Sequence, residues 1–208
     1  MRRINFIIKR IFDFCASLVA VIILSPLLLI VSILIRIDSP GPEIYKQIRL
    51  GRDKKEFVAY KFRTMYKDSS INNLKAPKED DPRVTRIGSF LRKTSIDELP
   101  QLFNVLNGTM SIIGPRAVPA RELELRIQNM LIEEPGEGKE AMYREYMDKR
   151  QMVKPGITGM AQAYGRSSLT AVKATELDVY YVENFSVLLD IKIFIKTVVT
   201  VLKREGVN

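Results

Sequence analysis

The chain has no histidine and a single cysteine among its 208 residues. Without histidine it lacks the side chain that titrates nearest neutral pH and the commonest zinc ligand. Acid–base or metal chemistry must therefore run on carboxylates, which suit a hard cation such as Mg²⁺. One cysteine, Cys15, cannot close a disulfide within the chain, and the setting reads as reducing. Repeats are absent, and the length supports one domain with a real core. What is abundant is positive charge, a formal net +9. That favours an anionic partner: phosphate groups, a membrane surface or nucleic acid. The basic residues are dispersed and no aromatic-interleaved platform accompanies them, which argues against nucleic acid.

The second abundance is a run of 22 uncharged residues, FCASLVAVIILSPLLLIVSILI, from Phe14 to Ile35. Its length makes it a membrane-span candidate, and it is apolar all round. No small-x-small cleavage site follows, so it does not read as a cleaved signal. Ser25-Pro26 lies near its middle, where proline breaks the helical ladder. Each half, about 12 residues or ~18 Å, is too short to cross a ~30 Å hydrocarbon core alone. Arg2, Arg3, Lys9 and Arg10 precede the run; Arg36, Lys46, Arg49, Arg52, Lys54 and Lys55 follow it. The positive-inside rule asks for both flanks on one side, which a re-entrant helix bent at Ser25-Pro26 satisfies and a spanning helix does not. Residues 1–38 are thus expected to anchor the chain and residues 39–208 to form one domain on the cytosolic face. Asp13, just ahead of the run, reads as an interfacial charge partner.

Beyond the anchor, Glu43–Gln47 and Glu56–Thr64 flank LGRDKK and suggest a β-hairpin. Alternation puts Val58, Tyr60 and Phe62 on one face and Lys61 and Arg63 on the other, where they either grip a phosphate or face water. Residues 66–80 read as a loop. Asp81-Pro82 predicts a helix start, with Ile87, Phe90 and Leu91 inward and Arg92 at its end. MSIIGPR predicts an apolar run and a turn presenting Arg116. A helix is expected over Pro119–Glu133, and charged, turn-rich chain over 134–151. KPGITGMAQAYGR is a glycine-punctuated loop with Gln162 and Arg166; its glycines either admit a ligand or make turns. Thr175–Asn184 predicts a short helix bearing Asp178. Ser186–Glu205 predicts a helix suited to lying on a membrane surface. The expected class is α+β, mostly helical, with a re-entrant membrane helix, a small β-hairpin and amphipathic interfacial helices.

Residues 94–108, TSIDELPQLFNVLNG, place two carboxylates side by side. The simplest reading is a helix cap. Ser95 and Glu98 match a capping box, and acidic residues suit the positive end of a helix. Leu99, Leu102, Phe103 and Leu106 share one face, and Asn107-Gly108 ends the helix. Pro100 complicates that register, because a proline belongs in the first turn. With Asp97 as N-cap, Pro100 is third and loses nothing; Asp97 then lies opposite the leucine face and Glu98 on its flank. Either register leaves two carboxylates with spare acceptor capacity.

KFRTM, DPRVTRIGSFLRKTSIDELPQLFNVLNGTMSIIGPR, KPGITGMAQ and DVYYVENFSVLLDIKI follow in that order after a basic-flanked apolar segment with Ser-Pro. Jointly, from about Lys9 to Gly206, they resemble the bacterial sugar transferases, the monotopic polyprenyl-phosphate phosphoglycosyl transferases. The chain departs from the family pattern in two places. IGPR is followed by Ala-Val-Pro rather than Pro, and 131–151 is longer than in short members. The resemblance implies transfer of a sugar-1-phosphate from a UDP-sugar to undecaprenyl phosphate, with Mg²⁺ and release of UMP. It implies Asp97 as nucleophile and metal ligand, forming a covalent phosphosugar–aspartyl intermediate, with Glu98 assisting, for instance in proton transfer. Lys61, Arg63, Arg92, Arg116, Gln162, Arg166 and Asp178 are the candidate phosphate- and substrate-binding residues. A carboxylate nucleophile splits one hard displacement into two, and phosphoryl transfer asks for charge neutralisation more than for a histidine base. Membrane lipids are expected partners; a homodimer is left open. Two rival readings remain: a glycosyltransferase that releases UDP, and a non-enzymatic basic membrane scaffold.

Overall fold

A computed structural model describes residues 2–66, 81–165 and 168–202. Of the loop expected over 66–80, residues 67–80 lie outside the described residues, as do Arg166 and the end of the helix expected over Ser186–Glu205. The fold is mostly helical, as expected, with small sheets.

The apolar run forms one helix, α1, over Arg2–Asp38, with Pro26 inside it. Proline has no N–H for the carbonyl four residues back. That carbonyl, on Ile22, instead accepts from Ser25 Oγ at 2.8 Å. The helical conformation therefore continues through the Ser25-Pro26 position, although one rung of the backbone ladder is missing there. By length and composition Ile4–Asp38 is able to cross a membrane.

Both ends of α1 are tied to the rest of the chain. Near its start, Arg10 donates to the Val105 and Leu106 carbonyls at 2.6 and 2.9 Å. Asp13, buried, accepts from Ser111 Oγ at 2.7 Å and the Ile112 N–H at 3.2 Å, so besides its ion pair with Lys9 at 4.0 Å it docks α1 onto the body. Near its end, Val31 and Ile35 pack on Phe62 and Leu91. The opposite face exposes large apolar side chains such as Ile11, Phe12, Ile22, Ile23 and Leu29.

β1 (Ile44–Leu50) pairs antiparallel with β2 (Glu56–Phe62), Ile44 opposite Phe62 and Leu50 opposite Glu56. The hairpin is present; of the face expected inward Phe62 is buried, but along the rest of β2 the opposite face is the buried one. Phe57 and Ala59 face the body with Lys61, while Val58 is exposed. The reason is Asn104, fully buried on α3 (Gln101–Leu106). Its carboxamide donates to the Val58 carbonyl at 2.7 Å and accepts from the Tyr60 N–H at 3.0 Å, clamping α3 to the strand beside the small Ala59. Asn104→Ala leaves both backbone groups buried and unpaired; urea unfolding should show a loss of about 2–3 kcal/mol.

α2 (Arg86–Thr94) starts later than the Asp81-Pro82 signal suggests. Thr85 is its N-cap, accepting from the Gly88 N–H at 2.9 Å. Asp81 instead closes a turn onto the Arg83 N–H at 3.0 Å. Leu91 is buried as expected, but Phe90 is 59% exposed and belongs to the outer surface.

β3 (Ser111–Ile113) pairs in parallel with β4 (Gly156–Thr158), a connection not visible in either segment alone. The glycines answer the question raised by the KPGITG loop. A Cβ on Gly156 would lie 2.1 Å from the Gly114 nitrogen, and one on Gly159 2.1 Å from the Gly114 oxygen. They admit the backbone of IGPR, and so fix the turn that carries Arg116.

Five helices complete the fold: α4 (Leu123–Glu133), α5 (Lys139–Arg150), α6 (Met160–Tyr164), α7 (Ala171–Glu183) and α8 (Val187–Leu202). α5 replaces the expected turn-rich stretch. Its Tyr143 and Met147 pack with Ile127, Met130 and Val172. Its charges are spaced i,i+4 on the outside, Glu140–Arg144 and Glu145–Lys149 at 2.9 and 3.0 Å, which masks its apolar stripe in sequence. α8 exposes Leu188, Ile191, Phe194, Ile195 and Val198, and Asp190 ties it to α1 through Lys9 at 2.6 Å.

Candidate active site

Ser95 ends α2 with φ 58°, in the left-handed region, and makes no side-chain cap. Ile96–Glu98 form a single 3₁₀ turn, Pro100 occupies the N-cap position of α3, and the six-residue α3 follows. Neither capping register is realised. Asp97 and Glu98 sit on a tight turn between two helices, so no long helix dipole acts on them.

Glu98 is the electrostatic centre. Its Oε1 receives both Lys61 Nζ at 2.7 Å and Arg116 Nη2 at 3.0 Å. β2 delivers Lys61, and the IGPR turn delivers Arg116, whose side chain remains 41% exposed. Burial alone would push the Glu98 carboxyl up. The Arg116 guanidinium and the Lys61 ammonium outweigh it and hold the group well below the usual carboxylate range. Lys61 itself is pushed down, by burial first and against the pull of Glu98. Glu98 is therefore a permanent anion that orients two cations. Both cations sit on Oε1.

Asp97 is the contrast. It has neither a hydrogen bond nor an ion pair among the described residues, and it is half-buried. Burial raises its pKa, the neighbouring Glu98 charge adds to the rise, and Lys61, Arg92 and Arg116 oppose it. An unengaged carboxylate within the field of three cations is equipped to meet an incoming phosphorus centre. Arg92, half-buried at the end of α2, donates Nε to Thr64 Oγ1 at 3.0 Å, its one hydrogen bond among the described residues. Burial lowers its pKa and the Asp97 charge opposes the drop.

The other candidates fall elsewhere. Arg63 turns away from Lys61, because β2 ends at Phe62. It is buried against the end of α1, donating to the Ile35, Ser39 and Pro40 carbonyls at 3.3, 2.6 and 2.8 Å. Asp178 is buried in a pair with Arg150, whose Nε and Nη2 lie 2.8 and 2.6 Å from Oδ2. Arg150 also donates to the Arg116 carbonyl at 3.1 Å, so Asp178 reaches the site only through Arg150. Gln162, on α6, has both side-chain polar atoms buried without a partner among the described residues, and none of the Asp97 cluster bonds to it. Arg166 is outside the described residues.

The residues missed are Arg49 and Arg150. Arg49 donates to Gln47 Oε1 at 3.0 and 2.7 Å and to the Ala117 carbonyl at 3.1 Å, bracing the stretch after Arg116. The alternation of β1 was the available signal for it. Arg150 sits in charged helical sequence that carries no local mark of function.

Among the described residues, no three carboxylate or thiol groups gather into a metal cage. Asp97 alone still fits Mg²⁺, which commonly takes one or two carboxylates with substrate phosphates and waters. Its unengaged oxygens are the feature that such a site needs.

Comparison with known proteins decides the family. Residues 4–204 match the model of the family described as Bacterial sugar transferase. The chain belongs to that family. It is 42% identical to the exopolysaccharide production protein PSS of Rhizobium leguminosarum bv. phaseoli, over 96% of this chain and 98% of that protein. It is 39% identical to the UDP-N-acetylgalactosamine-undecaprenyl-phosphate N-acetylgalactosaminephosphotransferase of Aeromonas hydrophila, over 96% of this chain and 44% of that protein. The undecaprenyl-phosphate glucose phosphotransferase of Komagataeibacter xylinus is 42% identical over 95% of this chain and 35% of its own length. The chain thus spans nearly all of the first relative and less than half of the other two.

Proposed function

We propose that this sugar transferase moves a sugar-1-phosphate from a UDP-sugar to undecaprenyl phosphate and releases UMP, an early membrane step in glycan assembly. The observation that carries this reading is the pairing of an unengaged Asp97 with a Glu98 that already holds Lys61 and Arg116. One carboxylate is free to react, and the other keeps cations in place for phosphate oxygens. The names of the relatives supply the donor and acceptor classes.

In the first step an Asp97 oxygen bonds to the sugar-bearing phosphorus. The bond from that phosphorus to the bridging oxygen breaks, and its electron pair leaves on UMP. In the second step an oxygen of the lipid phosphate attacks the same phosphorus, the aspartyl bond breaks, and Asp97 regains its carboxylate. Arg92, Arg116 and Lys61 face the charge on the equatorial oxygens. Mg²⁺, bound through Asp97 and donor phosphates, would add neutralising charge.

The membrane arrangement proposed here is a re-entrant α1. Its two ends are tied to one body, through Arg10 and Asp13 at one end and Val31 and Ile35 at the other. This supports a helix that enters and leaves on the same, cytoplasmic, face. An apolar groove of about 320 Å³ lies between α1 and α8, walled by Phe12, Ile113, Ile191 and Phe194 among others. Pro26→Ala restores the N–H for the Ile22 carbonyl and favours a straight span. In a Cys15→Ser, Arg2→Cys background, an impermeant maleimide should then label part of the population from outside the cell. Unchanged protection would count against Pro26 as the determinant.

The reaction is tested with a panel of UDP-sugars and Mg²⁺, with and without undecaprenyl phosphate. Sugar-dependent UMP that needs the lipid for turnover is the expected result and names the donor. UDP instead of UMP would make the protein an ordinary glycosyltransferase. No nucleotide product from a broad panel would favour the scaffold.

A further inference from the structure

A second basic cluster stands apart from the catalytic turn, against the start of α1. A cavity of about 110 Å³ is lined there by Phe6, Lys9, Arg10, Asp13, Arg52 and Lys154, among others. A cavity of ~150 Å³ takes benzene, so this one has room for a phosphate group. Three separate parts of the chain deliver the cations. α1 brings Lys9 and Arg10. The turn between β1 and β2 brings Arg52, and the Asp53 N–H donates to the Gln151 carbonyl at 2.7 Å, which holds that turn beside the segment leading to Lys154. That segment packs tightly on the IGPR turn, since a Cβ on Gly114 would lie 2.5 Å from the Lys154 carbonyl oxygen. Gly108 shows how near two of the cations come. Its φ of +85° calls for glycine, and a Cβ there would stand 3.3 Å from Arg10 Nη2 and 3.6 Å from Lys154 Nζ. Both nitrogens therefore approach one point.

Two of the four cations already have carboxylate partners, Lys9 on Asp190 at 2.6 Å and Arg52 on Asp53 at 3.3 Å. Asp13 is taken up by Ser111 and the Ile112 N–H. Arg10 meets only neutral carbonyls at the end of α3, and Lys154 makes no hydrogen bond or ion pair among the described residues. Burial first, and then the Arg10 charge, push the Lys154 ammonium down. Capping α3 accounts for Arg10 without any ligand; it does not account for Lys154 beside it. Cations gathered partly out of water are unfavourable unless an anion completes the group. The same cavity adjoins hydrocarbon. Lys9 and Asp13 also line the apolar groove between α1 and α8, with Ile8, Phe12, Ile191 and Phe194. A cationic compartment and an apolar one thus share a wall. Arg10 stands one turn ahead of Phe14, where the uncharged run begins, so the cavity lies at headgroup depth whether α1 spans or turns back.

We propose that these two compartments hold one anionic phospholipid of the bilayer, its phosphate among Arg10, Arg52 and Lys154 and an acyl chain along the groove. The lipid that reacts is a different molecule. Arg10 is bonded to the Val105 and Leu106 carbonyls, at the end of α3 far from Asp97. At ~1.5 Å per residue that helix is about 9 Å long, and a phosphate held at its far end does not meet Asp97. The site is independent of the transfer chemistry, and it seats the start of α1 in an anionic leaflet.

The full chain in detergent is titrated with phosphatidylglycerol, phosphatidylcholine and inorganic phosphate, and bound lipid is counted by native mass spectrometry. Lys154→Gln and Arg52→Gln each remove one cavity cation; Arg52, on an exposed turn, keeps the test open should the first variant fail to fold. Lys192→Gln removes the same charge from an exposed position on α8 outside the cavity. The expected result is one tightly held phosphatidylglycerol per chain. Its affinity falls about tenfold in each cavity variant, the scale of one lost hydrogen bond to a charged group, and is unchanged in Lys192→Gln. Phosphatidylcholine binds more weakly, and excess inorganic phosphate does not displace the lipid. Unchanged affinity in both cavity variants, or an equal loss in all three, would overturn the site and leave only diffuse attraction to an anionic surface. Equal affinity for phosphatidylcholine would overturn it too, leaving an apolar groove alone. Displacement by inorganic phosphate would make it a soluble anion's site, and displacement by equimolar undecaprenyl phosphate would make it the acceptor's; either result rejects a bilayer phospholipid as the occupant.

Discussion

Asp97→Asn should reduce UMP release by several orders of magnitude, ~10⁶-fold being the scale seen when a nucleophile is removed, and should make the folded protein more stable at neutral pH. Both effects have one cause. Asp97 has no partner among the described residues, and burial raises its pKa above that of the unfolded chain. A carboxyl raised in this way favours the folded state only when protonated. Its ionisation detracts from stability above the folded pKa, and the penalty is absent below the unfolded value. Asparagine removes the ionisation, so the melting temperature should rise at pH 7 and the gain should vanish in acid. The same shift places the acid limb of the rate profile above the ordinary aspartate range, because the nucleophile must be ionised. A lower melting temperature for the variant, or an acid limb at the ordinary aspartate value, would show that Asp97 is held by contacts absent from this account.

Glu98→Gln should lower turnover by about 10²–10³-fold, the range associated with losing a preorganised electrostatic group, and should destabilise the fold. The variant leaves Lys61 and Arg116 beside each other without the negative charge that balances both. Here the linkage has the opposite sign to that of Asp97. The folded pKa of Glu98 is depressed, so its contribution is present above the unfolded value and is lost as pH falls through the lower, folded one. The difference in melting temperature between wild type and variant should therefore be largest near neutrality and shrink in strong acid. Activity of Glu98→Gln that retains the wild-type pH profile and KM would mean that Lys61 and Arg116 are positioned by other groups. Double substitution of Lys61 and Glu98 measures their coupling directly, since neighbouring groups do not add.

These two residues were legible because they are adjacent in sequence and the motif around them is specific. Their surroundings were less so. The sequence pointed to a helix N-terminus, and the backbone instead makes one 3₁₀ turn after a left-handed Ser95. Short apolar periodicity does not separate a six-residue helix with a preceding turn from one longer helix. Lys61 and Arg63, two apart on a strand, were read as sharing a face. The strand ends between them, and Arg63 caps α1 instead. The alternation of β2 was right and Phe62 is buried as expected, but around Val58 and Tyr60 the strand is clamped by Asn104, a residue from another element that propensity does not reveal. Arg150 and Asp178 meet across 28 residues, and the parallel pairing of β3 with β4 joins segments still further apart. Such long-range contacts leave no local pattern. The apolar N-terminal helix was plain in composition; the tether of Arg10 and Asp13 to α3 and β3 was not.

The central claim is that Asp97 carries the phosphosugar between the two substrates. The most direct measurement is intact-protein and peptide mass spectrometry after exposure to the preferred UDP-sugar and Mg²⁺ with no lipid acceptor, quenched within seconds. The account predicts an added mass of one sugar-phosphate on the peptide containing Asp97, lost on addition of undecaprenyl phosphate and absent from Asp97→Asn. Turnover that proceeds only with both substrates present, with no adduct at any time and full activity in Asp97→Asn, would contradict it.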